Sequence, residues 1–342
     1  MIVSNDTIVY QVPMKPPYQI TNKIVELIAS ISEKIGEVNS AHLYRPSIEL
    51  RKKNRIKTIQ SSLEIEGNTL SIEQITAILE NKKVVAPKKD ILEVKNAIVV
   101  YDRLADYKPY SLTSFCKAHE ILMKGLVDNP GSIRSKFVGI IKGSVITHVA
   151  PPGNIVRSLL KDLFDYLKKD KDLLLIKSCV FHYEVEFIHP FMDGNGRMGR
   201  LWQTVLLRQY SPVFEFLPIE SLIKAKQLDY YKILGESDNQ GDSTGFVEFM
   251  LQIINDSLED LLINQNVNLT SEDRINIFKE KTGSDTFTRQ DYMRQFKDIS
   301  SATASRDLKE AVDKGTLEKT GDKRTTQYRF KNKKLNTTRT VL

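Results

Sequence analysis

Apolar residues recur along most of the chain at spacings of three and four, the pattern of helices that bury one face. Over Ile20 to Val38 they fall at Ile24, Leu27, Ile28, Ile31 and Ile35. Over Arg51 to Glu66 the positions Ile56, Ile59 and Leu63 share a face, with Ser62 beside them. That helix is expected to stop at Glu66-Gly67-Asn68, because glycine readily takes the left-handed conformation that ends helices. Further helices are predicted over 71–80, 91–104, 112–126, 155–167, 173–188, 197–209, 221–234 and 244–265. Between Phe137 and Val149 the period changes. FVGIIKGSVITHV is rich in valine and isoleucine and holds Gly143-Ser144 near its middle, which predicts a β-hairpin closed by Ala150-Pro151-Pro152-Gly153. The character turns polar at about 266–270, and from Ser271 to Phe330 the order reads helix, helix, helix, hairpin. The fold class is therefore mainly α: a helical bundle with one hairpin, followed by a small domain of three helices and a hairpin.

Composition narrows the class. Of 342 residues, 41% are hydrophobic and 27% charged, as in ordinary soluble proteins of about two or three domains. The N-terminus lacks the basic and apolar regions of a secretory signal. The most apolar stretch, 173–188, is interrupted by Lys177, His182, Glu184 and Glu186, so it reads as a core helix and no membrane partner is expected. Cys116 and Cys179 lack metal-ligand spacing and are expected to be buried free thiols, which points to a cytoplasmic location. The net charge of +7 is concentrated after Phe287, where 14 Lys and Arg face 7 Asp and Glu. Such an excess suits an acidic partner, nucleic acid first.

The segment His189-Pro-Phe-Met-Asp-Gly-Asn-Gly-Arg-Met-Gly-Arg200 carries the chemistry. Pro190 disfavours helical conformation at His189, so the preceding helix should end there. Gly194 and Gly196 let the backbone curl and turn N–H groups inward, and a helix starting near Arg197 adds its own free N–H groups, a nest for anions. Arg197 and Arg200, three apart, share a helix face and offer forked donors to a polyphosphate. Asp193 is a hard oxygen ligand suited to Mg²⁺, and His189 is the natural proton acceptor at neutral pH. The set suits nucleotidyl transfer. Gly194-x-Gly196-x-x-Gly199 also matches the dinucleotide-binding pattern, but that fold needs a strand immediately before it, and the neighbours read helical.

His189, Phe191, Asp193, Gly194, Asn195, Gly196, Arg197 and Arg200 fill every fixed position of H-x-F-x-[D/E]-G-N-G-R-x-x-R, and the sequence thereby resembles the Fic family, whose members mostly transfer AMP from ATP to Ser, Thr or Tyr of target proteins. The resemblance implies His189 as general base and Asp193 as the Mg²⁺ ligand. It implies that Asn195 and the Gly194/Gly196 backbone hold phosphates, that Arg197 and Arg200 hold the β- and γ-phosphates, and that a buried Phe191 anchors the loop. Ser62-Leu-Glu-Ile-Glu66-Gly67 matches the family's inhibitory pattern [S/T]-x-x-x-E-[G/N], which implies that Glu66 pairs with Arg200 and competes with the γ-phosphate. In some relatives this glutamate positions water for removal of AMP.

The hairpin at 137–149 resembles the family's flap, which holds a target protein by strand addition. Tyr230, Tyr231 and Asp238 resemble the segment that lines the nucleoside. Tyr231 is placed near adenine, with core packing the competing reading for both tyrosines. Asp238 stands where relatives carry asparagine. His42, His119, His148 and His182 read as structural. The resemblance divides the chain into an N-terminal helical region with the inhibitory helix (1–90), a catalytic body (91–266) and a domain at 270–342 that resembles a winged helix-turn-helix. In the last, Ser300 caps a helix that turns Ala304, Leu308, Ala311 and Val312 inward. Ser301, Thr303, Ser305, Arg306 and Lys309 would face a DNA groove with Lys323 and Arg324 on the wing, while Asp307, Glu310 and Asp313 count against it. Partners over 287–330 are thus DNA, another protein or a second copy of the chain. Alternative activities are a nucleotide-sensing DNA-binding regulator and transfer of UMP, phosphocholine or phosphate.

Overall fold

The computed structural model describes residues 15–40, 48–136, 139–142, 145–264, 270–282, 286–296, 299–322 and 325–331. It divides into two compact units, 1–264 and 265–342. The N-terminal region 1–90, set apart in the sequence reading, lies within the first unit.

In the first unit, α1 (Asn22–Ser40) buries Ile24, Leu27, Ile31, Ile35 and Val38, the face its spacing predicted, and packs on α11 (Thr244–Asn264). α2 (Ile48–Ile65) is followed by α3 (Ile72–Leu79), started by a capping box of Ser71 and Gln74. Then come α4 (Lys88–Asp102), α5 (Leu112–Leu122), α6 (Gly153–Lys169), α7 (Leu174–Ile188) and α8 (Asn195–Tyr210). α7 and α8 form the central pair and are buried on nearly all sides, as helices without a polar face must be. Phe115, Phe164, Phe181 and Trp202 meet there edge to face, with centroids 5.1–6.4 Å apart.

The helix predicted over 221–234 is two helices, α9 (Ile219–Ala225) and α10 (Gln227–Gln240). They break at Lys226 (φ −106°, ψ 30°), where neither proline nor glycine stands. Ile223 and Tyr230, on either side of the break, are both buried in the core.

Between α5 and α6, β1 (Gly139–Lys142) and β2 (Val145–Val149) pair antiparallel, from Gly139 opposite Val149 to Lys142 opposite Val145, with a register shift between Ile140 and Ile141. Of the predicted hairpin, Phe137, Val138, Gly143 and Ser144 lie outside the described residues. Cys179 is buried, but Cys116, expected to be buried too, is only half-buried. No described helix is long and apolar enough to cross a membrane.

The second unit holds α12 (Ser271–Thr282), α13 (Arg289–Gln295), α14 (Ser301–Asp313), β3 (Leu317–Thr320) and β4 (Gln327–Phe330), the predicted order. Ser300 caps α14 by accepting from the Thr303 N–H at 3.1 Å. Phe287 exchanges main-chain hydrogen bonds with Tyr328 and so adds a third short segment beside the antiparallel β3–β4 pair. Phe278, Phe287, Tyr292, Leu308, Leu317 and Phe330 make the core. Asp307, counted above among acids facing a groove, points inward instead. It is 2% exposed, pairs with Arg274 at 2.6 and 2.8 Å and accepts from the Tyr292 hydroxyl at 3.1 Å. Lys323 and Arg324 lie outside the described residues.

Candidate active site

α7 ends on His189, which adopts a left-handed conformation (φ 51°, ψ 60°). Among the described residues only Asn81 shares a positive φ without being glycine. Pro190 bars the right-handed alternative, and the left-handed one costs roughly 1–2 kcal/mol. Arg134 holds the turn in place. Its Nε donates to the His189 carbonyl at 2.6 Å and its Nη2 to the Ile188 carbonyl at 3.0 Å, while its own main-chain N–H donates to the Pro190 carbonyl at 2.9 Å. The same guanidinium donates to the carbonyls of Lys136 and Pro151, on either side of the β1–β2 hairpin, each at 2.7 Å. His189 Nδ1 lies 3.3 Å from the Glu186 carbonyl. A carbonyl only accepts, so Nδ1 carries the proton and Nε2 is the basic nitrogen of the neutral ring.

Beyond Pro190 the loop turns on Phe191, which is fully buried. Its ring stacks on His119 at 3.6 Å between centroids and lies against Phe115. Asn195 spends both ends of its amide on the Phe191 backbone: Oδ1 accepts from the Phe191 N–H at 2.8 Å, and Nδ2 donates to its carbonyl at 2.9 Å. The side chain expected to hold phosphate thus also clasps the loop from inside, and the free main-chain N–H groups at the start of α8 face an anion. Gly194 takes φ 83°, and a Cβ there would lie 2.7 Å from the Met123 sulfur. A Cβ on Gly196 would lie 2.7 Å from Glu66 Oε1. Because α7, a helix, leads into this loop, the glycine pattern is not a dinucleotide-binding turn.

The charged residues sort into two sets. Asp193 Oδ1 accepts from the Gly194 N–H at 2.6 Å and from Arg197 Nη2 at 3.1 Å. Its side chain is 53% exposed. Arg197, 4% exposed, also donates Nη1 to Glu93 of α4 at 3.1 Å, and its Nε is buried without a partner. Glu93 in turn accepts from Asn68, the residue after Gly67, at 2.8 Å. Arg200, 2% exposed, turns to α2 instead. It donates Nη2 to Glu66 Oε1 at 2.6 Å and to the Ser62 carbonyl at 3.0 Å, and Nε to Ser62 Oγ at 3.3 Å. Burial works against its charge, but Glu66, Tyr230 and Glu186 hold its pKa above the ordinary value. Glu186 is likewise opposed by burial, yet His182 and the charges of Arg200 and His189 keep its carboxyl below the usual range. Glu66 is presented by a helix end closed as expected: Gly67 takes φ 90°, and the N–H groups of Gly67 and Asn68 return to the carbonyls of Glu64 and Leu63.

The nucleoside-side residues divide. Tyr230 is a core residue, 1% exposed, donating to Glu186 Oε1 at 3.0 Å and meeting His182 Nε2 at 3.1 Å. Tyr231 is 38% exposed. Asp238 accepts from the Tyr183 hydroxyl at 3.0 Å, so it already has a donor within the fold. His119 and His182 are buried and hydrogen-bonded, as structural histidines are. His119 also touches the loop: Nε2 donates to the Asp193 carbonyl at 2.9 Å, and Nδ1 accepts from the Gly131 N–H at 2.8 Å. Burial pushes its pKa down to about 4. His42 lies outside the described residues, and His148 stands on β2.

Sequence reasoning missed Arg134, Glu93 and Glu186. For Glu93 a signal existed, an acid on the buried face of α4 with Val94, Ala97 and Val100. A metal fits only in part. No group of three or more His, Cys, Asp or Glu able to hold one occurs among the described residues, but Mg²⁺ commonly takes one or two carboxylates plus substrate phosphates, and the exposed Asp193 suits that role.

Comparison with known proteins agrees with this geometry. The Fic/DOC family pattern matches residues 109–207. The crystal structure of a Fic family protein from Desulfovibrio desulfuricans G20 is 40% identical, with a TM-score of 0.71, covering 94% of this chain and 99% of that one. "Protein adenylyltransferase Fic" of Nematostella vectensis is 29% identical over 248 residues, 67% of this chain and 55% of that protein. "Protein adenylyltransferase fic-1" of Caenorhabditis elegans is 31% identical over 210 residues, 56% of this chain and 38% of that protein. The chain thus spans about half or less of the length of these two curated relatives. With its loop folded between α7 and α8, and 40% identity running through almost the whole of both chains, the protein belongs to the Fic family.

Proposed function

We propose that the chain transfers AMP from ATP to a Ser, Thr or Tyr hydroxyl of a target protein and that Glu66 restrains it. The observation that carries this reading is the pairing of a basic His189 Nε2 with a glycine-lined helix start whose second arginine is already held by Glu66. The hydroxyl loses its proton to Nε2 and its oxygen bonds to the α-phosphorus. The bond from that phosphorus to the bridging oxygen breaks, and pyrophosphate leaves. Main-chain N–H groups of residues 194–197, with Arg197 and Arg200, hold the phosphates. Mg²⁺ at Asp193 would supply further neutralisation of phosphate charge. The target's main chain would add to the 139–149 hairpin as a strand. Glu66 occupies the donor that a γ-phosphate needs, so ATP would bind displaced from in-line attack. A misplacement of one ångström costs on the order of 100-fold.

The test is label transfer from α-labelled ATP to protein. Glu66→Gly should label about 100-fold faster than wild type, and His189→Ala should lose roughly 10²–10⁴-fold. Equal labelling by wild type and Glu66→Gly refutes the brake. Label from γ- but not α-labelled ATP assigns phosphate transfer. UTP and CDP-choline, tried alongside, test UMP and phosphocholine, and release of AMP from labelled protein tests the reverse reaction.

For the second unit we propose a winged-helix role in docking. One observation favours DNA: with Asp307 turned inward, the exposed positions of α14 keep Ser301, Arg306 and Lys309 against the single acid Asp313, with Glu310 half-buried. A gel shift that weakens steeply with salt supports a DNA-binding regulator, and its absence leaves protein docking.

A further inference from the structure

The helix that ends on Glu66 lines a cavity near its other end. Arg51, Lys52 and Arg55 of α2 border a space of about 460 Å³, whose apolar sides include Leu79, Leu104 and Phe216, which reaches Thr58 and Tyr101, and whose one lining acid, Glu215, is paired with Arg208. Small-molecule sites span about 300–1,000 Å³ and combine apolar walls with a few polar anchors. Lys52 pairs with Glu80 at 2.8 Å, and Arg55 pairs with Asp102. Arg51 stands over the Phe216 ring, 5.5 Å from its centroid. The Nε groups of both Arg51 and Arg55 are buried and have no hydrogen-bond partner. Buried donors are nearly always satisfied, so the Arg51 edge, left without an acceptor beside an apolar cavity, marks a place for an anion.

The inner end of the cavity adjoins the hold on Arg200. Tyr101 donates its hydroxyl to Glu220 at 3.2 Å. Ser62, one turn beyond Thr58 on α2, accepts from Arg200 through both its hydroxyl and its carbonyl. Glu220 Oε2 is buried without a partner. α2 thus joins the cavity to the hold on Arg200: it carries Arg51 and Ser62 and runs unbroken from Arg51 to the turn that presents Glu66.

We propose that this cavity binds a small organic anion, a phosphate or carboxylate on a flat apolar body, and that its occupancy changes the hold of α2 on Arg200. The anion takes the forked donors of Arg51, and the body packs between Leu79, Leu104 and Phe216. A ligand shifts an equilibrium only by its differential affinity for the two states, and here one wall of the site is the helix that would move. The coupling rests on the reading of Glu66 as a brake, whereas the binding does not.

Calorimetric titration of the full chain with phenyl phosphate tests the binding without reference to activity. Saturable binding is expected, about tenfold weaker in Arg51→Gln and partly restored in Arg51→Lys. Leu79→Trp, which fills the apolar side, should block it as well. Inorganic phosphate, lacking the body, should bind more weakly than phenyl phosphate. Absence of saturable binding in the millimolar range overturns the site. So does equal affinity in wild type and Arg51→Gln, which would put the probe in the loop at 194–200 instead. With α-labelled ATP, phenyl phosphate should change the rate of wild type and leave Glu66→Gly unchanged; an equal change in both overturns the coupling.

Discussion

The loop from His189 to Arg200 is held at its two ends by different chemistry. At the His189 end a buried guanidinium donates to four main-chain carbonyls, those of Lys136, Pro151, Ile188 and His189. Those acceptors belong to the end of α7 and the base of the hairpin, and none can leave without unmaking backbone structure. At the Arg200 end the roles are reversed. The arginine belongs to the loop, and its acidic partner is a side chain at a helix end, 29% exposed and free to rotate toward water. Fixed acceptors make the placement of His189 a property of the fold. Beside the fixed Ser62 carbonyl, Arg200 thus has one exchangeable acceptor, the feature on which the proposed restraint by Glu66 depends.

The comparison is most directly broken at Arg134. Gln in its place would leave several buried carbonyls without donors, at a cost of about 4 kcal/mol in unfolding free energy. It would also loosen His189 relative to the hairpin and lower label transfer by on the order of 100-fold. Urea unfolding and the α-labelled ATP assay measure the two. An Arg134→Gln protein as stable as wild type would show that the carbonyl clamp is incidental.

That contrast also explains what the sequence made legible. The loop was readable because its groups are contiguous: proline, two glycines and the charges lie within twelve residues, and each acts through local backbone geometry. Glu66 stood out only through the resemblance of Ser62-x-x-x-Glu66-Gly67 to the family's inhibitory pattern, since glycine beside it announces no more than a helix end. Arg134 was not, since it stands in a loop without periodicity and meets His189 across 55 residues through carbonyls, which leave no trace in side-chain patterns. That the Asn195 amide also bonds the Phe191 backbone was not legible, because a pattern says which residue is required, not what else its side chain holds. The break at Lys226 was invisible because no breaker residue marks it, and the apolar period of 221–234 runs through it.

His119 sharpens the comparison because it is a fixed hold that titrates. Its neutral ring donates to the Asp193 carbonyl and accepts from the Gly131 N–H, so protonation removes the acceptor. Its folded pKa of about 4 lies below the ordinary histidine value of about 6.5. The unfolded chain therefore takes the proton first as pH falls. The contribution is whole above pH ~6.5 and drains away between pH ~6.5 and ~4, approaching about 3 kcal/mol. Unfolding free energies measured across that interval should fall in wild type and fall less in His119→Gln. Identical pH profiles would remove His119 from the account.

The smallest effect tests the exchangeable end. Gly67 holds φ 90° just after Glu66, and a Cβ there would meet nothing within 4 Å. Gly67→Ala therefore carries no clash and only the strain of a left-handed alanine, about 1 kcal/mol. Relieving that strain shifts the turn that returns to Leu63 and Glu64, and with it the carboxylate on Arg200. Thermal unfolding should show the small loss, and label transfer should rise, though by less than in Glu66→Gly, because the carboxylate remains. A variant that loses about 1 kcal/mol yet labels no faster would mean that Glu66 keeps its grip through a distorted turn. The hold on Arg200 would then be as fixed as the one on His189.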